Sequence, residues 1–131
     1  MRAEFTLLGA TILLALVHIF AAAGAKTRQY GTKWNTGPRD EELPPLNPRA
    51  GRLVRAQANL FETLPLFIGA LLGAAAAGRL GWQTALGAHL YFWARLVYLP
   101  LYAAGIPVVR SLAFLVSLAG LLLIVWALLF G

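Results

Sequence analysis

Residues 52–67 read RLVRAQANLFETLPLF, and their reading decides how the rest of the chain folds. The stretch has the apolar content of a membrane helix, yet it carries two arginines, an asparagine and a glutamate. At about 100° per residue, Arg52, Arg55, Asn59 and Glu62 fall at about 0°, 300°, 340° and 280°, so all four share one helix face. Long cationic side chains at a helix end keep their heads in water while their stems cross apolar surface, which accounts for Arg52 and in part for Arg55. Asn59 and Glu62 lie roughly two to three turns further in, where an ionisable group is costly and faces protein or a water-filled cavity. A structural Arg55–Glu62 network is one reading of the cluster, and a polar ligand is the other.

Outward from this stretch the chain stays apolar. Of its 131 residues 60% are hydrophobic, against roughly 45 to 50% in soluble domains. Apolar runs at about 5–25, 50–78, 82–104 and 108–130 each reach the roughly 20 residues that cross hydrocarbon as a helix. The expectation is an all-α membrane protein, one domain over residues 1–131, built as a bundle of four transmembrane helices. Arg2, the apolar Leu7 to Phe20 and the small AAAGA imitate a secretory signal peptide, but the segment is expected to remain as the first helix. The absence of cysteine removes disulfides, thiolate metal sites and a cysteine nucleophile; any thiol chemistry must use a substrate's sulfur. His18 and His89 lack metal-ligand spacing, so no metal is expected, and both are read as satisfied by packing or hydrogen bonding. Asp40 is the single aspartate and sits in a loop, which leaves no convincing Ser-His-Asp set.

The net charge of +6 is spread over one loop and several helix ends, without the fold or aromatic platform of a nucleic-acid binder. Its use is topological. Lys26, Arg28, Lys33, Arg39, Arg49, Arg52 and Arg55 gather between the first two helices, whereas the next connection offers Arg79 alone. The positive-inside rule makes the loop at about 26–49 cytoplasmic and sets both termini on the other side. Its NTGPRDEELPPLNP segment is expected to lack regular structure, and Asn47-Pro48 marks a helix start. Pro65 and Pro100 fall inside helices, where each removes a backbone donor. Gly69 and Gly73 form a small-xxx-small pair suited to close helix contact.

Two more segments send polar groups to the same leaflet. In YFWARLVYLPLY, Tyr91, Arg95, Tyr98 and Tyr102 fall at about 0°, 40°, 340° and 20°, a single stripe. An aromatic belt accounts for Tyr102 and is an open alternative for Tyr98, but Arg95 must find an anion, a carbonyl or water. Arg110-Ser111 opens the last helix, where an anion would be welcomed by side chain and free amides alike, unless Arg110 is a further positive flank. Four arginines and Glu62 converging on one leaflet imply an anionic ligand that carries at least one cationic group.

These residues resemble the signature of the MAPEG family, the membrane-associated proteins of eicosanoid and glutathione metabolism. The R-x-x-R-A-x-x-N-x-x-E pattern, the basic first loop with GPRDE, the Arg-x6-Tyr of the third helix and the Arg-Ser of the fourth recur together over nearly the whole chain. The resemblance implies a homotrimer of four-helix protomers with glutathione as co-substrate between neighbours, in a bacterial inner membrane. It implies that Arg55, Asn59, Glu62, Arg95 and Tyr102 bind glutathione, with Arg52 and Tyr98 beside them, and that Arg110, with Ser111, stabilises the thiolate. The spacing from Tyr102 to Arg110 is one residue shorter than in the prostaglandin branch. The implied activity is glutathione transfer to lipophilic electrophiles, or peroxide reduction. A small proton-coupled multidrug transporter using Glu62, or a non-catalytic membrane scaffold, are the alternatives. The surplus of arginine would repel a transporter's cationic drug.

Overall fold

The structure, a computed structural model, describes residues 2–131. It is 83% helix, with no strand among the described residues. The helices are α1 (Ala3–Tyr30), α2 (Thr32–Thr36), α3 (Pro48–Ala76), α4 (Trp82–Ala103) and α5 (Pro107–Phe130). Five helices replace the expected four, and α1, α3 and α5 are long and apolar enough to cross a membrane. The 22 residues of α4 have the length, but His89, Arg95 and three tyrosines dilute its apolar character.

The expected loop at 26–49 is shorter than its polar composition implied. α1 continues to Tyr30 because apolar content marks where lipid ends, whereas Lys26, Arg28 and Gln29 are good helix formers that extend the same helix into water. Gly31, at φ +95°, stops it in a conformation that side chains rarely adopt. The five-residue α2 follows, and then the chain returns to α1: Tyr30 donates to the Pro44 carbonyl at 2.6 Å and Gln29 to that of Pro45 at 3.0 Å, while Gln29 accepts from the Asn47 N–H at 2.8 Å. Asn47 then caps α3 by accepting from the Ala50 amide at 2.9 Å, with Pro48 as the first helical residue.

α3 and α4 meet across the middle of the bundle. α1 and α5 each pack on both of them and, among the described residues, not on each other. The interior holds Leu14, Leu60, Leu71 and Ile124, and Phe67 stacks on Tyr91 with ring centroids 4.2 Å apart. The Tyr91 hydroxyl shares a 2.8 Å hydrogen bond with Thr63, which places this tyrosine in the core, away from the other two of its stripe. Leu13, Val17 and Phe20 of α1 and Leu122, Trp126 and Phe130 of α5 are exposed, the arrangement suited to a lipid solvent.

The closest helix contact is between α4 and α5 and differs from the expected Gly69/Gly73 pair. A Cβ added at Gly87 would lie 2.5 Å from the Gly120 carbonyl oxygen, and one at Gly120 would lie 2.5 Å from that of Gly87. Nothing stands within 4 Å of a Cβ at Gly69, and Gly73 meets the tip of Leu128. The two backbones of α4 and α5 therefore touch only because both positions lack side chains.

Candidate functional site

The geometry divides the polar stripe of α3. Arg52 turns to the C-terminal end of α4, where its Nε donates to the Ala103 carbonyl at 2.9 Å. That carbonyl belongs to the last turn of a helix and has no intrahelical partner. Arg52 lines a separate cavity with Arg49, Pro100 and Ala103, apart from the other candidate residues. Arg55, one turn on, is exposed and donates from Nε to the Tyr102 hydroxyl at 3.3 Å.

Tyr102 links two cations. Its hydroxyl meets Arg55, and its ring face lies 4.5 Å from the guanidinium carbon of Arg110. Tyr98, one turn earlier on α4, has its ring centroid 5.5 Å from that of Tyr102 and carries the Arg95 guanidinium at 4.2 Å. The Phe114 ring of α5 also lies near this guanidinium, at 5.8 Å. Phe114 escaped the sequence reading, although its place one helical turn after Arg110 and Ser111 is a signal that could have found it.

Arg95 is 0% exposed, and its Nη1 donates to Asn59 Oδ1 at 2.7 Å. Through that bond Arg95 bears on the cavity that Asn59 lines. With its oxygen occupied by Arg95, Asn59 has its amide N–H groups left as donors. Asn59, Tyr98, Arg110, Ser111, Phe114 and Leu115 line a cavity of about 300 Å³. α5 begins at Pro107, so Arg110 is the fourth residue of that helix and not its opening residue. Ser111 donates to the Pro107 carbonyl at 3.1 Å, one turn back along the helix.

No carboxylate approaches these arginines within 4 Å: the ion pair present among the described residues is Arg2–Glu4, at 3.3 Å. Glu62 is exposed on α3 and forms no such pair within the protomer. Three guanidinium groups are held instead by an amide, a phenol and aromatic faces. An Arg55–Glu62 network, the alternative reading of the stripe, is not formed within the protomer: both side chains are exposed and no ion pair joins them.

The histidines divide as well. His89 is exposed, and its Nδ1 accepts from Trp93 Nε1 at 3.2 Å. His18 was expected to be satisfied but is buried with neither ring nitrogen bonded to protein, since its neighbours on α1 are apolar. Among the described residues no group of three His, Asp or Glu side chains could hold a metal ion. A larger groove of about 660 Å³ between α1 and α4 has apolar walls, Leu13, Val17, Leu96 and Val97 among them, and brings no reactive group together.

No curated protein and no solved structure matches the chain. The MAPEG family model matches residues 7–130, nearly the whole chain, and this integral membrane protein belongs to the MAPEG family.

Proposed function

We propose that the protein binds glutathione at a cleft between protomers of a homotrimer and transfers it to lipophilic electrophiles. The observation that carries this reading is the gathering of Arg55 and Asn59 from α3 and Arg110 from α5 around Tyr102 of α4 and one cavity, with no carboxylate of the protomer to neutralise them. Membership in a family of membrane proteins linked to glutathione supplies the ligand class. Glutathione brings two carboxylates, an ammonium and a thiol whose ionised form is a nucleophile toward electrophiles or peroxides.

The chain's own residues match those groups. Arg55 is free to hold a carboxylate by charge-assisted hydrogen bonds. The Asn59 amide donates beside it, fixed by Arg95. Glu62 is available for the ammonium. Arg110 faces the cavity with Ser111 next to it, and a guanidinium there favours the thiolate over the thiol. The leaving group departs with the electron pair of the bond that the new carbon–sulfur bond replaces. Apolar walls such as Phe114 and Leu115 admit a lipophilic electrophile and exclude water.

The exposed polar groups of α3 support a neighbouring protomer, and the resemblance to the family supplies the threefold number. Glu62 and Arg55 both face outward on a helix apolar enough to cross a membrane, and a charged group at mid-bilayer costs about 2.5–3.5 kcal/mol on insertion scales. A neighbouring protomer removes that exposure and closes the cleft. In this reading α4 crosses the membrane as the fourth span, shielded by its partners, and the basic loop faces the cytoplasm of a bacterial inner membrane.

Thermal unfolding in mild detergent tests the ligand. Glutathione at 100 times its Kd should stabilise the protein by about 2.7 kcal/mol, and native mass spectrometry should show trimers. An unfolding temperature indifferent to glutathione, or monomers alone, would reject the reading.

A further inference from the structure

α1 contributes no side chain to the cavity lined by Asn59 and Arg110, yet it carries the buried polar residue for which neither fold nor site accounts. His18 is 1% exposed, and both its ring nitrogens lack a protein hydrogen-bond partner. Arg95 of α4 is in the same condition: it is fully buried, and Nε and Nη2 have no protein partner while Nη1 holds Asn59.

The register of the two helices brings these residues to within about one turn of the same depth. Thr84 Oγ1 donates to Glu4 Oε2 at 2.8 Å, which pins the start of α4 to the start of α1. From that link, a rise of 1.5 Å per residue carries α1 about 21 Å to His18 and α4 about 16 Å to Arg95, a difference of about one turn. The two helices pack directly, and Arg95 is the charged group whose field acts on His18.

Their hydrogen-bonding capacities are complementary. A guanidinium can only donate, whereas a neutral imidazole has one acceptor nitrogen and one N–H. Among these four orphaned nitrogens, the acceptor of His18 is therefore the one atom able to answer Arg95. A buried polar group left unmatched costs about 1–3 kcal/mol, and more when charged. One water accepting from Arg95 and donating to His18 satisfies both, and buried waters making about three hydrogen bonds occur roughly once per 27 residues.

We propose that His18 is a positioning residue, joined to Arg95 through one buried water, that holds the guanidinium so that Asn59 keeps its oxygen turned inward and its amide donors free for the ligand. The link between α1 and α4 does not depend on the identity of the ligand. Its consequence for the ligand rests on the glutathione reading above.

The test uses the full chain with ¹⁵N-labelled histidine in a His89→Asn background, which leaves His18 as the single imidazole. An imidazole nitrogen that accepts a hydrogen bond resonates apart from an unbonded one. In Arg95→Leu the acceptor nitrogen of His18 should move to the unbonded position, and Arg95→Lys should displace it too if the leucine variant does not fold. Unchanged His18 resonances in a folded variant overturn the link. For the ligand, His18→Leu should weaken glutathione binding about tenfold, the loss of roughly one hydrogen bond's worth of positioning. It should raise KM while leaving kcat in place. His18→Gln, which retains an acceptor and a donor, should restore affinity. Equal affinity in His18→Leu and the parent overturns the positioning role. A parent protein that binds no glutathione would reject the function and this ligand role together, while the nitrogen resonances still decide the link between His18 and Arg95.

Discussion

The two ends of the helix bundle use their charged residues in opposite ways. At the end holding both chain termini, Arg2 pairs with Glu4 at 3.3 Å, and the buried Glu4 also receives the Thr84 hydroxyl at 2.8 Å. Thr84 in turn accepts the Gly81 amide at 2.9 Å, and Arg79 donates to the Leu128 carbonyl at 2.6 Å. These polar groups are consumed inside one protomer. At the basic-loop end, Arg55, Arg95 and Arg110 meet a phenol, an amide and aromatic rings, with Glu62 left exposed and unpaired. The difference separates polarity that holds the fold from polarity left over for something beyond it. Counting arginines would not make that distinction; tracing where each nitrogen goes does.

The sharpest way to break the comparison is Arg110→Ala. A charge-assisted hydrogen bond is worth about 1.5–3 kcal/mol, so conjugation of a generic aryl halide should slow by about one to two orders of magnitude. The thiolate absorbance of bound glutathione should fall with it. Full rate and full thiolate signal would reduce Arg110 to a topological flank. Arg55→Ala and Glu62→Gln should act instead on affinity, since they meet parts of the ligand whose charge does not change in the reaction. Titration calorimetry should show a Kd raised about tenfold or more in each. A lowered kcat at unchanged Kd would exchange their proposed role for that of Arg110.

The opposite end should respond through stability alone. Glu4→Ala leaves the Thr84 hydroxyl and Arg2 without their shared acceptor, at a cost of about 1–3 kcal/mol. Differential scanning calorimetry should record the lowered unfolding temperature, and glutathione affinity in the folded variant should stay at the parent value. A Glu4→Ala protein with intact stability but impaired binding would erase the distinction between the ends.

How much of this was legible in the sequence depends on how local each feature is. The face shared by Arg52, Arg55, Asn59 and Glu62 follows from spacing along one helix, and so does the cap at Asn47. Thr84 and Glu4, 80 residues apart, meet only through the packing of α1 on α4, and no pattern within either segment announces it. Gly87 and Gly120 are separated in the same way: each looks like an ordinary helix glycine until the other's carbonyl lies against it. Gly69 and Gly73 show the converse, a recognisable spacing that the packing does not use for backbone contact. Arg95 was legible as a cation needing a partner, but its full burial was not, because burial depends on the helices that pack around α4.

The smallest expected effect divides residues that the helical stripe grouped. Arg52 and Arg55 are both basic, one turn apart, and both reach α4. Arg52 Nε donates to the Ala103 carbonyl at 2.9 Å, where a cation also complements the negative end of the α4 dipole. This is the same use that Arg79 makes of the Leu128 carbonyl at the C-terminal end of α5. On that ground Arg52 belongs, despite its position, with the structural polarity of the far end. Arg52→Ala should cost about 0.5–1.5 kcal/mol of stability, the net worth of an ordinary hydrogen bond, and leave glutathione affinity unchanged. Arg55→Ala should do the reverse, since its exposed side chain makes one long contact with Tyr102 and keeps donors for a ligand. Thermal unfolding and ligand titration on the two variants in parallel give a direct reading. If Arg52→Ala weakened binding as much as Arg55→Ala, the stripe would act as one anion-binding surface, and the division drawn from the Ala103 contact would fall.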